Sequence, residues 1–304
     1  MLAPAVSFEF FPPADEAGSR ELVACVERLA PLGPRLVSVT HGADGSSRTR
    51  TSSWVARLQT ATGLGVAPHL TCVGATREQV LALACEYRRS GVRHLVVLRG
   101  DPPGFRASPT SRYQPHPEGF AYASDLVGSL SRSGDFEISV AAYPEGHPEC
   151  PGIDADIANL KRKAEAGATR AITQFFFDIG AFLRYRDRCA SSRVHLRLVP
   201  GILPITRLPQ LLRFAERCGA SVPAWLRRRF DGLDDDPDTR RMIAAHVAIE
   251  QAQRLRSEGV DEFHFYTLNR AELTYAICHA LGAARAASET RVERASGARV
   301  AQRA

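Results

Sequence analysis

No CxxC pair occurs in this chain, no glycine-rich phosphate loop of either common kind, and no apolar run long enough to span a bilayer. Each absence removes a class of protein. The seven cysteines are odd in number and widely spaced, which fits reduced thiols in a cytoplasmic protein rather than a disulfide framework. His147 and Cys150 stand close together, but nothing nearby completes a zinc set. The DGLDDD stretch at Asp231–Asp236 lacks the spacing of a calcium loop, so no metal is expected. Met1 leads almost directly into the first strand pattern, so neither a leader peptide nor a membrane span is expected. The lack of GxGxxG after the first strand, and of GxxxxGKS/T anywhere, weakens a doubly wound nucleotide-binding sheet.

What is present is a chain of 304 residues with 44% apolar content and a net charge of +6. That is enough for a large core and too apolar for a disordered protein. Much of the positive excess lies in Arg285, Arg291, Arg294, Arg299 and Arg303. No aromatic residues interleave with these arginines, so a solvated end is favoured over a nucleic-acid or membrane contact. Residues 1–282 are read as one catalytic barrel and 283–304 as a disordered basic tail.

Short β-rich runs are expected at Val6–Phe11, Leu36–Thr40, Val66–Cys72, His94–Arg99, Glu137–Tyr143, Ala171–Phe176, Leu196–Ile202 and Glu262–Leu268. Several are continuously apolar, as parallel strands buried on both faces should be. Helical periodicity fills the gaps: Glu21–Ala30, Ser52–Thr62, Arg77–Ser90, Ala123–Ser131, Asp154–Ala166, Ile179–Ser191, Pro209–Cys218 and Asp238–Glu258. Ala271–Leu281 follows the last strand. Asp178 and Asp236 are placed to start helices, and Gly91, Gly167 and Gly259 to end them. One unbroken alternation of this kind predicts an α/β fold, a single (β/α)8 barrel with its active site at the C-terminal ends of the strands. The Pro/Gly/Ser-rich stretch at 102–119 is a long loop inside it.

Polar residues collect where these strands end. The first carries Glu9, the second Thr40, the third His69, and the fourth runs into Arg99, Gly100 and Asp101. The fifth reaches Tyr143 with His147 beyond, the sixth carries Gln174, and the eighth ends near Thr267, Asn269 and Arg270. Taken singly, each is ordinary boundary polarity; in a barrel they share one mouth. Glu9 is the sharpest. Alternation puts Phe8 and Phe10 on one face of the strand and Ser7, Glu9 and Phe11 on the other, without settling which looks inward. Burial there is expected to raise the carboxyl's pKa and let it act as a general acid; a structural salt bridge is the competing reading. Arg162 and Lys163 can serve either as phosphate donors or as a solvated basic helix face.

The stretches SFEFFPP, SVTHGA, APHLTC, LRGDPP, YASDL, ISVAAYPEGHPE, NLKRKAEAGA, AITQFFFD, PGILPI, FDGLDDD and FHFYTLNRAE occur in this order up to about Leu281. Together they resemble the methylenetetrahydrofolate reductase family. The resemblance implies a (β/α)8 flavoprotein in which NADH or NADPH reduces a bound FAD, and 5,10-methylenetetrahydrofolate then accepts the hydride. By the same resemblance, Glu9 protonates the departing N10 and Asp101 stabilises the iminium cation while contacting the folate. Flavin contacts carried over are Thr40, His41, Ala43, His69, Arg99, Gly100, Asp101, Ala123, Tyr143, His147, Asp156, Asn159, Arg162 and Lys163. Substrate contacts carried over are Glu9, Thr40, Asp101, Gln174, Gln210, Phe214 and Arg270. Without the resemblance, Phe214 reads as the core residue of an amphipathic helix. Position 41 is His where bacterial relatives often carry Tyr, which puts a titrating group beside the flavin. The resemblance further implies a cytoplasmic homo-oligomer serving methionine synthesis, with NADH favoured and no inhibition by S-adenosylmethionine. A barrel lyase using Glu9 and Asp101 without redox chemistry is the rival from another class.

Overall fold

The computed structural model describes residues 3–41, 48–102, 112–205 and 207–283. The expected flavin contact Ala43, half of the 102–119 loop (103–111) and the tail from 284 onward lie outside the described residues. The chain opens with β1 (Ala5–Phe10), α1 (Glu16–Leu29), β2 (Val37–Val39), α2 (Arg48–Thr62), β3 (Val66–Thr71), α3 (Arg77–Arg89) and β4 (His94–Leu98). It continues through α4 (Ala123–Ser131), β5 (Glu137–Ala142), α5 (Ile153–Glu165), β6 (Arg170–Thr173) and α6 (Ile179–Ser191). Then come β7 (Arg197–Val199), β8 (Gly201–Ile202), α7 (Leu208–Cys218), α8 (Ala224–Phe230), α9 (Pro237–Ser257), β9 (Glu262–Tyr266) and α10 (Ala271–Ala280).

Among the described residues the strands run β7-β6-β5-β4-β3-β2-β1-β9-β8, with every neighbouring pair parallel. The expected (β/α)8 barrel is therefore present, with one difference. The strand expected at Leu196–Ile202 is split at Pro200, which has no N–H to give the ladder. Its first half pairs with β6 and its second with β9, so the ring closes through a broken seventh stave. The Pro200 carbonyl still accepts the His264 N–H at 3.0 Å. Gly201 lies at the seam: a Cβ there would sit 2.2 Å from the Thr173 carbonyl oxygen and 2.6 Å from the Tyr266 ring. The short helix α8 was not expected from the sequence; Leu226 and Phe230 are buried beneath it.

Local signals set the helix starts. Asp15 caps α1 by accepting the Gly18 N–H at 2.8 Å, Thr76 and Gln79 form a reciprocal box at α3, and Asp236 accepts from Thr239 at α9. Asp178 precedes α6 but makes no side-chain cap. Phe8, Phe10, Phe263 and Phe265 point outward into the main core against the helices, which settles the strand phase left open by alternation. A second core of Phe175, Phe177, Leu203, Leu211, Leu226, Phe230 and Val247 lies under α7, α8 and α9.

The barrel interior is layered. Its floor is ionic: Arg170 donates from both terminal nitrogens to Glu262 at 2.6 and 3.2 Å, and Arg197 Nε lies 2.8 Å from Glu262. Glu137 and His94, which also open their strands, stand 3.5 Å apart beside this pair. The middle is apolar, built of Leu36, Ala67, Val96, Leu98 and Ile172. Above it lies the polar mouth.

Candidate active site

Ser7 and Glu9 project inward because Phe8 and Phe10 project outward. Parallel pairing sets Ser7 beside His264 and Glu9 beside Tyr266. The Ser7 hydroxyl lies 2.8 Å from His264 Nδ1, and His264 Nε2 lies 3.6 Å from Glu9 Oε2. From the other side, His69 Nε2 lies 3.3 Å from the same carboxylate oxygen. At these distances neither Nε2 has a partner in full hydrogen-bonding geometry. The β1 end is fixed behind them. Thr267 donates its hydroxyl to the Glu9 carbonyl at 2.6 Å, and Asn269 both donates to and accepts from the Phe11 backbone.

This arrangement corrects the expectation that burial leaves Glu9 protonated. Burial does push the carboxyl up, but interactions with His264 and His69 together outweigh it and bring the pKa from 4.5 down to about 2. Without a ligand, Glu9 is a carboxylate. His264 and Ser7 were missed in the sequence reading. The signal was there: in EFHFY the polar residues Glu262, His264 and Tyr266 alternate in phase, as Ser7 and Glu9 do in β1.

A second group forms where β4 and β5 end and along α5. Arg99 pairs with Glu149, donates to the Gly100 carbonyl at 3.1 Å and stacks 4.4 Å over the Tyr113 ring. Gly100 takes a left-handed φ of 86°. Tyr143 meets His147 edge-on at 4.7 Å, and burial with Arg99 and Lys163 nearby lowers His147 from 6.5 to about 4. Lys163 donates to the Ala141 carbonyl at 2.9 Å, while Arg162 donates to Asn159. Burial lowers Lys163 from 10.5 to about 8, with Asp156 opposing and Arg99 adding. Burial raises Asp156 from 3.8 to about 6, with Lys163 opposing. Such a corner, with Arg99, Lys163 and Arg162 but only partial negative compensation, can take an anion.

The two groups share one mouth. Burial pushes Tyr143 up, and Asp101 and Asp156 beside it add to this. Tyr266 is pushed well above 10 by burial, then by Glu9, Tyr143 and Cys218. The structure thus joins Glu9 and His69 to Arg99, Asp101, Tyr143, His147, Asp156, Asn159, Arg162 and Lys163. Thr40 lies half-buried at the end of β2, with its N–H donating to the Phe10 carbonyl at 2.8 Å, and His41 is buried next to it. Gln174 is half-buried, its side-chain oxygen accepting the Phe175 N–H at 3.0 Å. Gln210 and Phe214 sit one turn apart on α7, Phe214 half-buried against the second core. Ala123 is buried at the start of α4. Arg270 is exposed at the start of α10 and, among the described residues, makes no side-chain hydrogen bond or ion pair with either group.

A larger cavity of about 550 Å³ lies outside the barrel, walled by residues such as Phe177, Trp225, Arg229, Val247 and Glu250. None of the expected site residues lines it. Glu9, His147, Asp156 and Lys163, all perturbed, lie at the mouth, and perturbed charges in a cleft mark chemistry better than volume does. Among the described residues, no group of three or more His, Cys, Asp or Glu is placed to hold a metal ion, and no helix is long and apolar enough to cross a membrane.

The model of the family described as methylenetetrahydrofolate reductase matches residues 2–282. The chain is 50% identical over 277 residues to the 5,10-methylenetetrahydrofolate reductases of Pectobacterium carotovorum subsp. carotovorum and Escherichia coli (strain K12). Each match covers 91% of this chain and 90% of the relative. Among solved structures, a Clostridium thermocellum protein described as binding two copies of 5-methyl-5,6,7,8-tetrahydrofolic acid superposes with a TM-score of 0.60. That match covers 93% of this chain and 96% of the other at 14% identity, a likeness of fold alone.

Proposed function

The chain belongs to the methylenetetrahydrofolate reductase family, and on that premise we propose that it reduces 5,10-methylenetetrahydrofolate to 5-methyltetrahydrofolate with electrons from NAD(P)H, NADH favoured, through a bound FAD. The observation that carries this reading is the inward Glu9 carboxylate held between His69 and His264 at the barrel mouth. In this reading residues 1–282 make the catalytic barrel, and the cytoplasmic enzyme serves methionine synthesis as a homo-oligomer.

The donor set fits the cofactor. Lys163, Arg162 and Arg99 would hold the diphosphate, and the burial that lowers Lys163 to about 8 is relieved when an anion arrives. Gly100 presents backbone without a Cβ, and Thr40, His41, His69, Tyr143, His147, Asp156 and Asn159 would complete the cradle. When bound there, FAD supplies the two-electron chemistry that the side chains lack.

The chain's own residues manage the proton and the charge. The substrate's methylene carbon accepts hydride only after its bond to N10 breaks, and N10 leaves readily only when protonated. Glu9 delivers that proton. Its carboxylate is too acidic to keep one in the ligand-free site; folate entering the mouth excludes water and raises it. His69 Nε2 and His264 Nε2, 3.3 and 3.6 Å from Glu9 Oε2, line the side from which the proton reaches it. Asp101 places a negative charge beside the iminium cation left on the substrate. Gln174, Gln210, Phe214 and Arg270 would position the folate or the nicotinamide.

Stopped-flow absorbance of the FAD-loaded enzyme tests the reading. Anaerobic NADH is expected to bleach the flavin, and methylenetetrahydrofolate to restore its colour while 5-methyltetrahydrofolate forms. A protein that bleaches with neither nicotinamide, or bleaches without ever being reoxidised by the folate, is not this enzyme.

A further inference from the structure

The chain leaving α7 is fastened to the loop that follows β5. The Glu145 carboxylate accepts the Ser221 N–H at 3.0 Å with one oxygen and the Ser221 hydroxyl with the other. Both prongs of one carboxylate are used on one residue far along the chain. Two positions away, Gly219 ends α7 with a left-handed φ of 70°. A Cβ there would stand 2.9 Å from Pro148 Cγ, so only glycine lets the two segments close this far. Cys218, the last residue of α7, is raised to about 11 by burial and by Asp101 beside it. The helix end therefore reaches across to the mouth. Between Tyr143, Gln174, Cys218 and Ala220 the free volume is about 10 Å³, room for roughly one water.

These two segments carry different halves of the proposed site. The β5 loop bears Tyr143 and His147, on the flavin side. Helix α7 bears Gln210 and Phe214, on the substrate side. Nothing in the proposed chemistry needs Glu145 or Ser221 at the reacting atoms. We infer that Glu145 and Ser221 are positioning residues, a clasp that seats α7 against the flavin-side loop and so sets how tightly the folate and the nicotinamide are held. With room for about one water between them, the two segments pack directly against each other. Substrate binding then depends on α7 staying seated, and the proton transfer at Glu9 does not. The contact has the form of a helix-capping bond: a carboxylate on a backbone N–H, reinforced by a hydroxyl.

The inference rests on the reductase reading for what α7 touches, so it is tested with two measurements. The first is steady-state kinetics of the FAD-loaded enzyme carrying Ser221→Ala, Ser221→Thr or Glu145→Ala. We expect KM for methylenetetrahydrofolate to rise about tenfold in Ser221→Ala and Glu145→Ala, with kcat within about twofold of the parent. Ser221→Thr, which keeps hydroxyl and N–H, should restore KM. Flavin retention in Ser221→Ala should not change. A substitution that only loosened the fold would lower yield and thermal midpoint without splitting KM from kcat. Active variants with KM within twofold of the parent overturn the clasp. The second measurement is amide hydrogen exchange across residues 208–221 and needs no catalysis. Exchange should quicken at least tenfold in Glu145→Ala and stay slow in Ser221→Thr. Unchanged exchange overturns the clasp, while quickened exchange in a protein that never reduces methylenetetrahydrofolate keeps the clasp and rejects the reductase reading.

Discussion

Oε2 of Glu9 lies 3.3 Å from Nε2 of His69, and this contact helps to reverse what burial alone does to the carboxyl. A desolvated carboxylate with no partner climbs in pKa; one between imidazoles falls. The mouth therefore holds a ready anion, and in the proposed role its proton is supplied during the reaction. Other properties of the site can be checked in the same way.

Replacing Glu9 with Gln removes the proposed proton carrier but leaves the cationic corner around Lys163 untouched. NADH should still bleach the flavin at near the parental rate. Folate reduction should fall by about 10²–10⁴, the usual worth of a general acid. Single-turnover measurement of each half-reaction checks this; equal loss in both would remove Glu9 from the acid's place.

Asp101 lies close enough to Tyr143 and Cys218 to raise both. Its negative charge favours a cation on the substrate and disfavours added electron density on a bound flavin. Asp101→Asn should speed flavin reduction relative to folate reduction. Unchanged rates of both half-reactions in stopped flow would count against the charge argument.

Lys163 is lowered from 10.5 to about 8 in the ligand-free protein. An anionic diphosphate favours the charged ammonium, so binding takes up a proton wherever the free lysine has lost one. FAD affinity should be flat below pH 8 and weaken above it, by at most tenfold per pH unit. Fluorescence titration between pH 6.5 and 9.5 reads this. Lys163→Met should bind more weakly and lose the slope.

The barrel floor governs stability rather than chemistry. Arg170 and Glu262 keep only 4% and 3% of their side-chain surface exposed. Glu262→Gln leaves the buried guanidinium short of charge and should cost about 3–5 kcal/mol in urea unfolding. Beside this pair, burial chiefly lowers His94 from 6.5 to about 4, with Arg170 and Arg35 adding and Glu137 opposing. The folded state thus refuses a proton that the unfolded chain accepts. Its stabilising contribution is whole above pH 6.5 and is lost as pH falls toward 4. His94→Gln should make urea midpoints less sensitive to pH across that window.

Much of the frame was legible from local pattern. Continuous apolar runs marked strands buried on both faces, and caps such as Asp236 marked helix starts, because both signals act within a few residues. The break at Pro200 was not read, since Leu196–Ile202 is apolar enough to pass for one strand; the split shows only when its halves find different neighbours. Helix α8 was hidden by its arginines, as its two inward residues acquire meaning only over the second core. His264 was overlooked because its partner Ser7 lies at the opposite end of the chain.

By itself the sequence determined the alternation of strands and helices and the single carboxylate in the first strand. It also determined the cations along α5, since periodicity, caps and composition are short-range and survive in one dimension. Only the tertiary structure decided which face of β1 looks inward, that Glu9 is ionised between His69 and His264, and that Glu145 grips Ser221. Those outcomes depend on Coulombic and hydrogen-bonding distances of a few ångströms between residues far apart along the chain. Barrel closure sets such distances, and no local pattern encodes them.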